Sequence, residues 1–256
     1  MLSLSVNNFN NKPYFTGTMK STMCLDGLFH KNNSKFLRDT VPELPKIITQ
    51  YFPKEAQTFC YGCSSGEDSY YLALLLLNSF PDRALKYLPV RSFDIAPDMI
   101  RQAQSGKIQI GPKEKRKFAR TFQNIGFEKG FIENPTVKND YSYNVSVWLR
   151  NQITFDVGNF LEDIKKPFNE PSIVFCRNMW HQFRPKTTVH IKDIADNLHR
   201  NLKRGGIVVL GELEYENVYI NVPKALKQAG FMEVQKYIFI KPIPAPQKIH
   251  NHAIYN

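Results

Sequence analysis

The sequence predicts an α/β protein, a mostly parallel sheet with helices on both faces. Short apolar, β-prone runs alternate with segments of helical period, the mark of repeated βαβ units. The first such run ends in a Gly-bracketed turn that opens directly into a helix, and the second ends in an Asp. In open sheets of this kind a ligand sits beyond the strand C-termini, near the point where strand order reverses. The chain has 256 residues, enough to bury roughly 70–75% of its unfolded surface, so it needs no covalent staples.

The elements follow in order. Residues 1–45 are an Asn-rich arm running into a short helix, and 46–256 form the main domain. Pro42 to Phe52 places Leu44, Ile47, Ile48 and Tyr51 on one helical face. Thr58 to Tyr61 is the first strand. Glu67 to Ser79 is a helix apolar nearly all round, hence buried. Val90 to Ile95 is the second strand, and Pro97 to Ser105 a helix stopped by Gly106. Residues 106–150 lack a sustained period and read as an inserted subdomain. Within it and just beyond, Asn144 to Leu149 and Gln152 to Val157 flank Arg150-Asn151 and read as a hairpin. Ser172 to Cys176 and Ile207 to Leu210 are continuous apolar strands. The helix of Lys186 to Leu202 between them ends in Lys-Arg-Gly-Gly, a cationic last turn followed by glycine. Val222 to Ala229 is a helix closed by Gly230, and Phe231 to Ile240 supplies the last strand material.

Composition excludes several classes. Apolar residues make up 42% and charged residues 22%, which argues against disorder or a fibrous chain. The longest apolar run, Leu72 to Leu77, falls far short of the ~20 residues of a membrane span. The first residues carry no basic segment before an apolar stretch, so no secretory signal is expected. The four cysteines, Cys24, Cys60, Cys63 and Cys176, fit a reducing compartment, the cytoplasm. Lys and Arg outnumber Asp and Glu by 34 to 23, a net charge of +11 that suits an acidic partner. Pro112 to Arg120 concentrates part of the excess, although such runs are more often solvated surface than docking sites. Nucleic acid has no support from a compact RNA-binding signature, and no Cys/His spacing fits zinc, so no metal is expected. The oligomeric state is not legible in the sequence.

Chemistry concentrates at two strand ends. In Phe59-Cys-Tyr-Gly62-Cys-Ser-Ser-Gly66-Glu67-Asp68, the glycines permit positive φ and close approach of a ligand to backbone. The turn is neither a dinucleotide fingerprint nor a Walker loop. Glu67 and Asp68 disfavour a pyrophosphate and suit a ligand with a positive centre, although acids also simply complement a helix start. Asp94 closes the second strand, where an acid takes ribose hydroxyls in nucleoside-binding α/β folds; it could also be a plain helix cap. Together they point to S-adenosylmethionine (SAM), a nucleoside with a sulfonium and an amino group. Cys60-Tyr-Gly-Cys63 has redox spacing, but Cys60 falls within an apolar strand, which favours a buried hydrophobe.

Four segments carry a resemblance: GCSSGEDSYYLALLL from Gly62, FDIAPDMIRQAQSG from Phe93, Ile153 to Leu161 (ITFDVGNFL), and Val174 to Asn178 (VFCRN). In order and spacing they resemble the CheR-type chemotaxis methyltransferases, which methylate receptor glutamates with SAM. The resemblance implies a Rossmann-like class I methyltransferase fold, a seven-stranded sheet with a small inserted β-containing subdomain. It implies that Gly62, Ser64, Gly66 and Glu67 line the methionine end, Asp94 holds the ribose, Asn159 and Phe160 flank the adenine, and Arg177 lies beside the cofactor. S-adenosylhomocysteine is then the product and a protein the acceptor. Two positions depart from the family pattern: His30 stands where an Arg is expected, and Gln182 where a Tyr faces the site. Both are candidate catalytic residues. These departures leave open a nucleic-acid or other non-carboxylate acceptor, or a SAM-binding protein without catalysis.

Overall fold

The computed structural model describes residues 40, 42–52, 54–110, 127–133, 141–183 and 190–243. Helix α1 (Leu44–Tyr51) turns Leu44, Ile47 and Ile48 inward, as their spacing requires. Strand β1 (Gln57–Tyr61) leads into α2 (Glu67–Ser79), then β2 (Val90–Asp94) and α3 (Pro97–Ser105). Short elements follow: β3 (Lys107–Ile110), α4 (Phe127–Gly130), β4 (Phe131–Glu133), β5 (Tyr141–Val145) and α5 (Val147–Arg150). The chain continues through β6 (Ile153–Val157), α6 (Phe160–Asp163), β7 (Ser172–Cys176), α7 (Ile191–Asn201) and β8 (Ile207–Leu210). It closes with α8 (Glu212–Glu216), α9 (Val222–Ala229), β9 (Met232–Gln235) and β10 (Ile238–Ile240).

Seven strands form one sheet in the order β6-β2-β1-β7-β8-β10-β9. The pairs β1–β2, β1–β7, β2–β6 and β7–β8 are parallel, and β10 runs antiparallel to both β8 and β9. This is the sheet of the Rossmann-like class I methyltransferase fold. Strands β7 and β8 are buried on both faces, which is why they read as unbroken apolar runs. Their side chains alternate between two cores. Ile173 and Phe175 pack with α1 and α2 through Ile48, Leu72 and Leu76; Val174 and Cys176 pack with α7 and α9 through Leu198 and Leu226. Helix α2 buries all eight residues from Ser69 to Leu76, and each large apolar side chain so enclosed contributes about 1.5–3 kcal/mol.

The hairpin expected across Arg150-Asn151 does not form. Ser146 instead caps α5, its Oγ accepting from Leu149 N at 3.3 Å, and Leu149 is fully buried. Strand β5 therefore belongs to a separate three-stranded antiparallel sheet, order β3-β5-β4, while β6 joins the main sheet beside β2. The last strand material is itself a hairpin, β9 and β10, turning at Tyr237 with φ of 73°. The basic run 112–120 and the start of the Lys186 helix lie outside the described residues.

Candidate active site

Strand β1 is the switch point of the sheet: the chain leaves it for β2 on one side, and β7 lies on the other. Beyond its C-terminus lie the turn 62–66, the end of β2 and the residues after β7, the place where sheets of this kind hold a ligand in a crevice. Gly62, Ser64 and Gly66 all have positive φ, at 67°, 49° and 94°. A Cβ on Gly66 would stand 3.1 Å from Ala103, Phe155 and Tyr70 alike, so both its φ and its surroundings require glycine. Gly62 backs onto Met179 just after β7, which brings the loops on either side of the switch point together.

Asp94 ties this turn to β2. Its Oδ2 accepts from Ser64 N at 2.9 Å and its Oδ1 from Ala96 N at 2.9 Å. A carboxylate has about four lone-pair positions, so about two stay available after these bonds. The side chain is thus oriented by backbone yet keeps one acceptor position per oxygen, matching a vicinal diol.

The helix start after this turn is acidic. Glu67 accepts from Ser65 Oγ at 2.7 and 2.8 Å, and burial pushes its carboxyl up to about 7 despite that bond. Asp68, one residue on, accepts from Arg177 Nη1 at 2.5 Å, and burial raises its pKa against the pull of that guanidinium. The Arg177 side chain is fully buried, so its charge is directed at Asp68 rather than offered to the crevice. A cationic ligand gains most from such a cluster, since its charge favours ionised Glu67.

Asn159 caps α6, its Oδ1 accepting from Leu161 N at 3.0 Å. The Phe160 ring is buried against Tyr61, Trp180 and Phe183, so this position offers its main chain to a ligand and its ring to the core. Gln182 ends a 3-10 turn, Trp180–Gln182, and is half-buried. His30 lies outside the described residues. A hollow of about 340 Å³ lined in part by Gln57, Pro89, Arg91 and Glu170 sits at the opposite, N-terminal ends of the strands.

Two contacts escaped the sequence reading. Asp68 was visible as one of two acids at a helix start, but its pairing with Arg177 bridges 109 residues. Glu214 of α8 is fully buried and accepts from Trp180 N at 3.2 Å, with His181 Nδ1 3.7 Å away. A short acidic segment after the strand β8 was the one available signal. Cys60, Cys63 and Cys176 are free and buried, and burial raises Cys60 to about 12 and the other two further, which favours the buried-hydrophobe reading over a redox pair. Among the described residues no group of His, Cys, Asp and Glu could hold a metal ion, and no helix is long and apolar enough to cross a membrane.

Residues 27–232 match the family described as CheR methyltransferase, SAM binding domain. Among curated proteins, a chemotaxis protein methyltransferase of Borreliella burgdorferi is 23% identical over 71% of this chain and 59% of its own length. Chemotaxis protein methyltransferase 2 of Vibrio cholerae is 23% identical over 70% of the chain and 58% of its own. An uncharacterized 104.1 kDa protein of Rhodobacter capsulatus is 28% identical over 60% of the chain and 14% of its own. The chain thus spans less than two thirds of each of these relatives. Among solved structures, magnesium protoporphyrin IX methyltransferase of Synechocystis with bound SAM is 13% identical at a TM-score of 0.42, covering 86% of this chain and 90% of that one. The chain belongs to the CheR methyltransferase family through its SAM-binding domain, and S-adenosylmethionine is its cofactor.

Proposed function

We propose that the chain is a methyltransferase acting on a protein acceptor, with the crevice beyond β1 as its cofactor site. The single observation that carries this is Asp94, whose carboxylate is fixed by Ser64 N and Ala96 N and still has acceptor positions for a ribose diol. In this reading Gly62 and Gly66 let the turn close around the ligand, Ser64 aligns Asp94, and Glu67 meets the cationic amino-acid end. Arg177 acts by holding Asp68, Asn159 shapes the adenine end, and Phe160 contributes main chain there. In this reading the cofactor-binding domain is 46–256, with residues 1–45 ahead of it and 106–150 as an insertion.

SAM supplies an activated methyl group on a sulfonium. The residues of this chain position it and hold an acceptor in line, where proximity supplies most of the rate. His30 and Gln182 are the candidate catalytic residues in this reading. The net charge of +11 suits an acidic acceptor protein, and three buried free thiols suit the cytoplasm. Calorimetry with SAM and S-adenosylhomocysteine tests the site, and transfer of labelled methyl to lysate protein tests the activity. A base-labile product identifies a carboxyl methyl ester; label that resists protease but yields to nuclease would refute a protein acceptor.

A further inference from the structure

The positive charge of this chain is unevenly placed. Among the described residues, the crevice end of the sheet is acidic, with Asp94 closing β2 and Glu212, Glu214 and Glu216 in α8. The cations there are committed, Arg177 to Asp68 and Lys236 to Glu216. The opposite end, where the parallel strands begin, exposes Lys54, Lys86, Arg91, Lys166, Lys203 and Arg204. None of these six forms an ion pair among the described residues, and the exposed acids beside them are fewer: Glu55, Asp82 and Glu170.

Backbone contacts join these connections into one face. Ala56 N donates to Lys86 O at 3.1 Å, Gln57 N to Pro171 O at 2.9 Å and Phe168 N to Asn201 O at 3.0 Å, while Gly205 sits beside both Tyr51 O and Ile243. Two apolar side chains stand out from the same connections. Leu85 is 78% exposed, and Ile243, near Arg204, is 57% exposed. Leu85 occupies the 3-10 turn Ala84–Lys86, which is held rigidly from behind. Tyr87, just after it, is buried; its Oη donates to Phe52 O and its carbonyl accepts from Thr58 Oγ1, both at 2.7 Å. A lone exposed leucine is ordinary surface. One fixed on a firm turn among unpaired cations has the make-up of a surface that rests on lipid headgroups.

We propose that this face is a peripheral docking surface for an anionic bilayer. Its cations come from separate connections and spread over the whole end of the sheet, which suits a delocalised negative surface rather than one enclosed anion. Nucleic acid would use the same charge but would gain nothing from Leu85 and Ile243, which a lipid interface accepts. The acids at the crevice end are repelled by the same bilayer, so the two ends together set one orientation. Strands of five residues at about 3.3 Å each hold those ends roughly 15 Å apart, and the docked chain keeps its crevice turned to solvent. The proposal is independent of what the crevice binds.

Sedimentation of the full chain with lipid vesicles tests it. The chain should bind mixed phosphatidylglycerol–phosphatidylcholine vesicles and not phosphatidylcholine alone, and should weaken at least about tenfold as salt rises from ~0.05 M to ~0.5 M. Each Lys or Arg at an anionic surface strengthens binding about fivefold, so Lys86→Ser, Lys203→Ser and Arg204→Ser together should weaken it about 100-fold. The charge-matched set Arg101→Ser, Lys192→Ser and Lys224→Ser, on α3, α7 and α9, should stay within about threefold of wild type. Leu85→Ser should weaken binding about fivefold without changing its salt dependence. Unchanged thermal unfolding shows that each variant is folded. Wild-type binding that is absent or indifferent to lipid charge would overturn the proposal, as would equal losses in the two triple variants. Tighter binding to a DNA duplex than to the anionic vesicles at equal salt would overturn it in favour of nucleic acid.

Discussion

Replacing Asp94 by Asn should cost most of the cofactor affinity without emptying the fold. The carboxylate now accepts from Ser64 N and Ala96 N, both at 2.9 Å. In Asp94→Asn one oxygen becomes an NH2 group facing one of those backbone donors, so one loop bond is lost and one acceptor position for the ribose goes with it. A hydrogen bond to a charged group contributes about 1.5–3 kcal/mol. Losing one to the diol and the charge from the other gives about 3 kcal/mol, or roughly a 150-fold weaker Kd. The lost loop bond should lower folding stability by about 1–2 kcal/mol. Calorimetry with S-adenosylhomocysteine measures the first and denaturant unfolding the second. An analogue lacking both ribose hydroxyls should bind wild type and variant nearly alike. Affinities for the intact ligand within about threefold of each other would refute the reasoning, because a diol bound to Asp94 cannot be indifferent to that change.

Three further outcomes follow from the same geometry. Gly66→Ala must place a side chain at φ of 94° with three neighbours at 3.1 Å, so it should destabilise by about 2–3 kcal/mol, read from the urea midpoint. Glu67 has a carboxyl raised to about 7 by burial, and a cationic ligand favours its ionised form. SAM should therefore bind about tenfold more tightly at pH ~8 than at pH ~6, and Glu67→Gln should flatten that slope. The same shift acts oppositely on folding: the unfolded carboxyl releases its proton first, so this contribution to stability is present below the ordinary value of 4.5 and is lost as pH rises through about 7. Cys60 and Cys63, buried with raised pKa values, should resist a thiol-specific disulfide reagent until urea unfolds the chain; rapid reaction of either in the native state would reopen the redox reading.

How much of this was legible in the sequence depends on distance along the chain. Helix α2 was readable because a glycine precedes it and Tyr70 to Leu77 is an unbroken aromatic and aliphatic run, and α9 because Gly230 follows its last residue. The Gly62–Gly66 turn and Asp94 were readable because each ends a strand whose period is local. Strand β3 was not, because Lys107–Ile110 acquires its partner only from Tyr141–Val145, and nothing local announces that pairing. The false hairpin at Arg150-Asn151 arose from two β-prone runs close in sequence; the cap at Ser146 and parallel pairing of β6 with β2 outweighed that proximity. The acid cluster followed the same rule. Asp68 and Arg177, or Glu214 and Trp180, meet only because strands far apart in sequence lie side by side.

Soaking or co-crystallising the chain with S-adenosylhomocysteine tests the central claim most directly. The two ribose hydroxyls should lie within hydrogen-bond distance of the Asp94 carboxylate, with the ligand's amino group beside Glu67. A ligand seated elsewhere, or one whose ribose turns away from Asp94, would contradict the account.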